Sequence, residues 1–443
     1  MHIDSLKTHT VIIGAGITGL STAHFLSKRS TDFLVIEQGQ RVGGNIHSKK
    51  IDGFLIENGP NTVLINNPSI QQLIEDCQLQ KALLYPSEEA KKNRYVLRNG
   101  KLQLVPKSPL EVVSTPILKW NEKMALLKDI FTPKHKYDVS VSSFVNKRFG
   151  KAALKHFFVP FLTGIYAGDV NKMSARYTLK KIWNLEQKYG SVIRGLKQQK
   201  TNASPRIFNF SEGLSLLTQT LAKNNAKRLK CDVSVKEIKK TEDGYLIISK
   251  NYHIHCKRII SAIPAYALSS IINDKQLAKA LVSIPYVPVD VFHFGFKKEH
   301  VKNQAQGFGV LTKPSDNKHF LGVLFNNRIF PHVCANDQEL FTVIVGGGKQ
   351  GHLCNQTTEA LESLILKEVK QLLECDTNPI FTNHTKYQKG IPQYHLNFED
   401  LKKEVINFEK NNANFHILGN YLNGVSVSDC VENADNLVKK LKL

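Results

Sequence analysis

The sequence predicts an α/β fold in which a domain built on parallel strands is combined with an antiparallel sheet and a helical insertion. Three patterns lead to this prediction. A strand–turn–helix–strand unit begins near residue 10, a strand–loop–helix unit closes the chain after residue 414, and alternating apolar segments run between residues 281 and 350. The 443 residues are too many for one compact core, so we expect two or three domains.

The first unit contains a glycine-rich turn between a strand and a helix. Residues 11–13 form an apolar strand, and Gly14, Gly16 and Gly19 follow it in GxGxxG spacing. Such glycines permit a tight turn, close approach of a pyrophosphate to the backbone, and close packing of helix on strand. Glu37 ends the next strand, where its carboxylate can accept hydrogen bonds from a ribose. We therefore expect a Rossmann-like unit that binds a dinucleotide at the helix N-terminus.

A second glycine turn follows almost directly and indicates which dinucleotide is bound. Arg41, Gly43 and Gly44 offer a bare turn and a cation for the pyrophosphate, and Gly59 and Pro60 form another turn after a short strand. This segment resembles the second motif of the flavin amine oxidases and their relatives, and simple NAD dehydrogenases lack it. The resemblance implies that the cofactor is FAD, bound without a covalent link.

The C-terminal unit is expected to complete the same site. Residues 415–418 read as a strand, and a helix is expected from about Val425. The N-terminus of that helix would direct N–H donors and a partial positive charge at the flavin ring. Val425, Ser426 and Val427 are therefore predicted to contact FAD.

Three domains follow from these segments. A buried strand around Val235, which the resemblance places near the adenine, belongs with the two ends of the chain. The predicted boundaries are 1–80 with 201–268 and 405–443 for the FAD-binding domain, 81–105 with 269–404 for an antiparallel-sheet substrate domain, and 106–200 for a helical domain.

Two segments of the middle region attract attention. Asn99-Gly100 predicts a type I′ hairpin whose alternation places Arg94 and Arg98 on one face, where an arginine is either solvated or paired with a carboxylate. Residues 160–169, PFLTGIYAGD, are neutral until the last residue and contain two glycines, so we expect a bare-backbone loop.

The helical domain also combines apolar residues with many lysines, which suits either peripheral membrane contact or an ordinary helical domain.

Composition narrows the class of protein. The net charge is +22, which fits a lysine-rich surface, an anionic membrane or an acidic substrate. No nucleic-acid partner is expected, because the sequence has no basic tail, zinc finger or RNA-binding strand. The seven cysteines form no CxxC pair, so neither a metal site nor a disulfide framework is predicted. With no signal peptide or apolar span of 18 residues, a cytoplasmic location is expected, with the inner face of the membrane as an alternative.

A longer set of segments carries a more specific resemblance. PFLTGIYAGDVNKMSARYTLKKIWNLEQKYGSVIRGLKQQ closely resembles the oxygen-dependent protoporphyrinogen oxidases. Further segments resemble the same family in the same order: GGNIHSKKIDGFLIENGPNTVL, NRYVLRNGKLQLVP, FNFSEGLSLLTQTLA, IISAIPAYAL and GNYLNGVSVSDC. The resemblance covers nearly the whole chain.

The resemblance implies an activity and partners. The expected reaction is oxidation of protoporphyrinogen IX to protoporphyrin IX in haem biosynthesis, with FAD as hydride acceptor, O2 as oxidant and hydrogen peroxide as by-product. Coproporphyrinogen III is the alternative substrate. A flavin amine oxidase is less favoured, because the strand VPVDVFHF lacks the lysine that those enzymes place beside the flavin. The sequence leaves open peripheral membrane association and a homodimer.

Four substrate contacts are implied by the same resemblance. Arg94 would pair with a substrate propionate, and the carbonyl of Gly164 would face the pyrrole N–H groups. Phe330 would stack against a pyrrole ring, and Leu311 would line the same cavity. No catalytic acid or base is identified, so the protein is expected to act by positioning, desolvation and electrostatics.

Overall fold

A computed structural model describes residues 3–198 and 206–441. The parts of the predicted domains that fall on residues 1–2, 199–205 and 442–443 lie outside these residues. The described strands are β1 (Asp4–Ile13), β2 (Phe33–Ile36), β3 (Ser48–Ile51), β4 (Phe54–Glu57), β5 (Val63–Ile65), β6 (Leu83–Leu84), β7 (Tyr95–Arg98), β8 (Lys101–Leu104), β9 (Arg206–Phe210), β10 (Leu229–Lys230), β11 (Val235–Thr241), β12 (Gly244–Ser249), β13 (Tyr252–Ser261), β14 (Tyr286–Lys297), β15 (Gly309–Leu311), β16 (Gly322–Phe325), β17 (Gln338–Gly346), β18 (Phe381–Pro392) and β19 (Phe415–Ile417).

The α-helices are distributed along the same residues. They are α1 (Ile17–Ser27), α2 (Pro68–Asp76), α3 (Glu88–Lys92), α4 (Pro109–Ser114), α5 (Trp120–Leu126), α6 (Val141–Ala153), α7 (Val159–Tyr166), α8 (Ala175–Thr178), α9 (Lys180–Tyr189), α10 (Val192–Gln198), α11 (Ser215–Asn224), α12 (Ala265–Ser269), α13 (Lys275–Val282), α14 (Asn326–Ile329), α15 (Gly347–Gln350), α16 (Thr358–Leu373), α17 (Phe398–Asn411) and α18 (Val427–Lys440).

The first large sheet has the strand order β10-β2-β1-β13-β12-β11, with β19 beside β13. β1 runs parallel to both β2 and β13, with Val11 opposite Leu34 and Ile259. Because side chains alternate along a strand, Val11 and Ile259 enter one core, and Ile12 and Ile260 enter a second core on the opposite face. Side chains of α1 and α18 cover that second core. The glycine turn begins at the carboxyl edge of this sheet, which is where open parallel sheets bind ligands.

The second large sheet has the order β18-β14-β17-β16-β15-β7-β8 and is antiparallel except between β15 and β7. Phe292 and Phe294 of β14 pack with α16 in a core on one face. Val289 and Val291 of the same strand point to the other face. The fold class predicted from the sequence is confirmed by these two sheets and the helices around them.

The predicted hairpin between β7 and β8 is present. Asn99 and Gly100 both have positive φ, 51° and 75°, as a type I′ turn requires. Val96 packs against the helical region, and Leu97 packs into the core of the second sheet. The two faces of β7 therefore separate as the alternation predicts.

A buried ionic cluster ties the helical region together. Arg148 of α6 has no exposed surface, and its guanidinium lies 2.5 Å from a carboxylate oxygen of Asp129 and 2.5 Å from one of Glu186. Burial alone would raise the pKa of Glu186, but hydrogen bonds from His135, Gln187 and Arg148 lower it to about 2. The ion pair between Arg148 and Glu186 joins α6 to α9.

The prediction of a loop at residues 160–169 is wrong for residues 160–166, and only residues 167–169 lie outside regular secondary structure. Val159–Tyr166 forms helix α7, which continues directly from a π-helical turn at Leu154–Phe158, and Pro160, which has no N–H to donate, lies just after that turn. Gly164 lies in the last turn of the helix, whose carbonyls have no partner within the helix. The left-handed residue that ends the helix is Ala167, with φ of 49°.

Candidate active site

A cavity of about 1020 Å³ joins the carboxyl edge of the first sheet to β14, β15 and α7. The glycine turns lie at one end of it and Gly164 lies at the other. Most of the residues predicted as contacts line this single cavity. They are Gly14, Gly16, Glu37, Gly43, Gly44, Gly59, Pro60, Arg94, Gly164, Val235, Leu311, Val425, Ser426 and Val427.

The first glycine turn is held by its neighbours in the fold. Gly14 has φ of 101°, and its N–H donates to the carbonyl of Ile36, 2.8 Å away. A Cβ on Gly19 would lie 1.9 Å from the Gly14 carbonyl oxygen. Gly19 therefore permits the packing of α1 on the turn and does not itself line the cavity.

Glu37 connects two turns at the edge of the sheet. One carboxylate oxygen accepts a hydrogen bond from the N–H of Ala15 at 2.8 Å, and the other accepts from the N–H of Gly39 at 3.0 Å. The side chain is half-buried and lines the cavity. An ionised carboxylate has further lone pairs, so it can also accept from ribose hydroxyls.

The second glycine turn lies directly on the first. The N–H of Gly43 donates to the carbonyl of Ala15 at 2.8 Å, and a Cβ on Gly44 would lie 3.2 Å from the Cα of Gly16. Side chains are therefore excluded where the turns meet, and a cradle of bare backbone remains. Such a cradle fits the predicted pyrophosphate of FAD.

Arg41, predicted to contact the pyrophosphate, is not among the residues that line this cavity. Its guanidinium instead donates to the carbonyl of Gly44 at 2.6 Å and to that of Ile46 at 3.1 Å. The arginine thus satisfies carbonyls of its own turn and holds that turn in shape.

The helix α18 presents its N-terminus to the cavity. It begins at Val427, two residues later than predicted, with Ser426 as its N-cap. The Ser426 hydroxyl accepts from the N–H of Asp429 at 3.1 Å and donates to the Asp429 carboxylate at 2.6 Å. This capping box satisfies the N–H groups of Ser426 and Asp429, and Val425 and Val427 line the cavity beside the helix end.

The far end of the cavity is largely apolar. A Cβ on Gly164 would lie 2.7 Å from Cδ2 of Leu311, so the bare backbone of α7 allows Leu311 to pack directly against it. Arg94 lines the same region, and its guanidinium carbon lies 5.1 Å from the ring centre of Phe308. The structure therefore brings Arg94, Gly164 and Leu311 into one chamber.

Phe330 is not part of this chamber. Its side chain is buried in a separate core with Phe54, Ile56 and Phe381. The aromatic residue that lines the cavity from the same region is Phe308, which packs on the edge of that core. Phe330, predicted to stack on a pyrrole ring, therefore does not line the chamber, and Phe308 is a lining residue that the sequence did not single out.

Other lining residues also escaped prediction. They are His156, Phe157, Tyr266, Tyr286, Tyr387 and Lys389. They come from four segments of the chain and belong to no short motif. Only the alternation along β14 and β18 could have indicated that some of their side chains share one face.

Comparison with known proteins agrees with this geometry. A family model described as flavin containing amine oxidoreductase matches residues 17–437. The mitochondrial protoporphyrinogen oxidase of Nicotiana tabacum is 28% identical over 477 residues, which cover 98% of this chain and 94% of that protein. The coproporphyrinogen III oxidase of Bacillus subtilis (strain 168) is 26% identical over 454 residues, which cover 96% of each.

Solved structures show the same fold. A crystal structure of a protein from Exiguobacterium sp. 255-15 matches with a TM-score of 0.84 at 21% identity, covering 99% of this chain and 98% of that one. A putrescine oxidase variant matches with a TM-score of 0.76 at 16% identity, covering 98% of this chain and 99% of that one.

Proposed function

Because the chain belongs to the flavin containing amine oxidoreductase family and is a flavin-dependent oxidoreductase, we propose that it oxidises a porphyrinogen to a porphyrin in haem biosynthesis. One observation carries the proposal: a single cavity runs from a bare-backbone dinucleotide cradle to an apolar chamber bordered by Arg94. Relatives named for protoporphyrinogen and coproporphyrinogen oxidation match along almost the full chain, which supports this choice.

The cofactor in this proposal is FAD, held without a covalent bond. Gly14, Gly16 and Gly43 would receive the pyrophosphate, and Glu37 would accept from the ribose. The N-terminus of α18 would face the flavin ring. When bound, FAD supplies the hydride acceptor, and O2 restores it with release of hydrogen peroxide. Denaturation in acid should therefore release free FAD from the protein.

The residues of the chain position the substrate. The six hydrogens leave as three hydrides from three methylene carbons and three protons, of which, in net terms, two come from pyrrole nitrogens and one from the fourth methylene carbon. The carbonyl of Gly164 would accept hydrogen bonds from pyrrole N–H groups, and Arg94 would pair with a propionate. Apolar side chains such as Leu311 and Phe308 exclude water from the chamber.

The substrate is one of two porphyrinogens. The sequence motifs favour protoporphyrinogen IX, and the Bacillus subtilis relative supports coproporphyrinogen III. Purified protein should be given each porphyrinogen in air while porphyrin fluorescence is recorded. Growth of fluorescence with either substrate is expected. No turnover of either by protein that retains FAD would overturn the proposal and favour oxidation of an amine.

A peripheral membrane contact is proposed for the helical region. Six large apolar side chains between residues 113 and 137 are exposed and share that segment with several lysines; this segment is called the 113–137 surface. Its apolar members are Val113, Trp120, Met124, Leu127, Phe131 and Tyr137. Exposed apolar side chains among lysines suit the interface of an anionic bilayer.

The proposed location is the cytoplasm. All seven cysteines are free thiols, which is the state expected in a reducing compartment. Among the described residues, no helix is long and apolar enough to cross a bilayer. Light scattering of the purified protein would decide whether it forms a homodimer.

A further inference from the structure

A second cavity, of about 370 Å³, borders the chamber at the end that holds Arg94. The two cavities share His156, which lines both. We call the second cavity the basic pocket, because five of its lining side chains are cationic or can become so. They are Arg98, Lys119, Lys155, His156 and Lys313.

The strand β7 links the basic pocket to the chamber. Arg94 precedes the strand and lines the chamber, Val96 lines the chamber too, and Arg98 lines the basic pocket. Side chains two and four residues apart lie on the same face of a strand, at a rise of roughly 3.3 Å per residue. Arg94 and Arg98 therefore stand about 13 Å apart along one face.

Both carboxylates that line the basic pocket already have partners within the protein. Asp316 pairs with the ammonium of Lys313, which also donates to the carbonyl of Leu97 at 2.8 Å. Glu122 accepts from the backbone N–H of Lys119 at 2.8 Å in the cap of α5. These two are the acidic members of the lining.

Three cations of the pocket have no such partner. Across residues 3–198 and 206–441, no carboxylate forms an ion pair with Arg98, Lys119 or Lys155. Arg98 donates to the carbonyl of Pro116, which engages only part of its guanidinium. An excess of positive charge therefore surrounds a concave space of small-ligand size.

Several of these cations act on His156, which lies at the boundary of the two cavities. The pKa of His156 is lowered by its burial and then by the charges of Lys313, Lys155 and Arg98. An anion bound beside His156 would reduce this repulsion. A carboxylate that enters the boundary from the chamber would therefore lie close to these cations and be stabilised by them.

We propose that the basic pocket is a second carboxylate subsite, which holds a propionate on an edge of the substrate different from the edge that pairs with Arg94. This rests on the proposed function. A substrate with four propionates can occupy both positions at once, whereas one with two on a single edge cannot. The chemical class that the site fits best is therefore a tetrapyrrole with carboxylates around its whole rim, as in coproporphyrinogen III.

The test measures binding of the porphyrin products, so that it does not depend on turnover. Holoenzyme is titrated with coproporphyrin III and with protoporphyrin IX, and quenching of porphyrin fluorescence gives Kd. Arg98→Met and Lys155→Met should each weaken coproporphyrin III binding about fivefold to tenfold, since they remove a charged hydrogen bond. Binding of protoporphyrin IX should change less than twofold.

Lys223→Met is the matched control, because Lys223 is exposed on α11 and lines neither cavity. If both pocket variants bind both porphyrins as the unaltered protein does, or lose affinity for both equally, the subsite is overturned. If the unaltered protein binds and oxidises no porphyrin compound, the proposed function itself has failed. Lys155→Met keeps the test valid if Arg98→Met does not fold, because Lys155 is exposed.

Discussion

Leu311 occupies the space that a side chain on residue 164 would need, because a Cβ on Gly164 would lie 2.7 Å from Leu311 Cδ2. The contact joins the last turn of α7 to β15 across the wall of the chamber. Both residues thus define the width of the cavity at its apolar end.

Gly164→Ala is expected to narrow the chamber. The Cβ would force the Leu311 side chain from its place in the chamber wall, so kcat/KM for a porphyrinogen should fall by about tenfold while FAD content stays unchanged, and the overpacking itself should cost about 1–3 kcal/mol of stability. The double variant with Leu311→Ala should recover most of the activity, because the clash is removed. Steady-state kinetics of the single and double variants measure this. A Gly164→Ala variant with full activity would show that the contact does not limit the chamber.

The backbone conformation of the two glycine turns could be predicted because each turn is contiguous in sequence. The sequence around Gly14, Gly16 and Gly43 determines their backbone conformation locally. Glu37 directly follows the second strand, so its position can also be predicted from the sequence. The same holds for the Asn99-Gly100 hairpin. In each case a few neighbouring residues determine the conformation, so the sequence pattern and the structure agree.

The substrate half could be predicted only in part. The family resemblance assigns Phe330 to the chamber. In the structure, its side chain instead packs with Phe54 and Phe381 in a separate hydrophobic core. The sequence predicts that Gly164 lies in a loop. In the structure it lies in helix α7, where the close approach of Leu311 leaves no space for a side chain. Such outcomes depend on contacts between distant segments, which local periodicity does not contain.

Arg94→Ala should weaken substrate binding without loss of FAD. The guanidinium borders the chamber, and a hydrogen bond to a charged group contributes about 1.5–3 kcal/mol, so KM should rise by at least about tenfold. Arg29→Ala is the control, because Arg29 is exposed beyond the end of α1. Equal KM values for the two variants would remove Arg94 from the substrate site.

Glu37→Gln should weaken FAD binding. The Glu37 carboxylate accepts from Ala15 and Gly39, and an amide retains one acceptor oxygen for these two donors and the ribose. The expected loss of affinity is about tenfold, since such charged hydrogen bonds contribute about 1.5–3 kcal/mol. The ratio of flavin to protein absorbance after gel filtration measures it. Glu359→Gln, on an exposed position of α16, should retain FAD fully.

Glu57 should make stability fall as pH rises. Burial raises the pKa of this carboxyl from 4.5 to about 7, although Ser48, Leu214 and Asn209 donate hydrogen bonds to it. The folded protein therefore holds a proton that the unfolded chain releases, and the associated stability is present below pH 4.5 and is lost between pH 4.5 and about 7. The total loss is of order 3 kcal/mol.

Glu57→Gln should remove that pH dependence. Urea unfolding of the variant and the unaltered protein at pH 5 and pH 8 gives the difference in unfolding free energy. The variant should gain relative stability at the higher pH. His293, whose pKa burial lowers to about 4, acts with the opposite sign as pH falls, and its contribution cancels in the comparison. A difference that does not change with pH would show that Glu57 titrates normally.

Substitutions on the 113–137 surface should reduce binding to anionic vesicles. Trp120 and Phe131 are 68% and 82% exposed, and burying such a side chain in a bilayer interface contributes about 1.5–3 kcal/mol. Trp120→Ser and Phe131→Ser should each lower the fraction that sediments with phosphatidylserine vesicles, and added salt should lower it further by screening the lysines. Ile380→Ser and Ile406→Ser alter exposed apolar positions elsewhere, 50% and 53% exposed, and serve as controls. If all four variants bind vesicles alike, the 113–137 surface is not the contact.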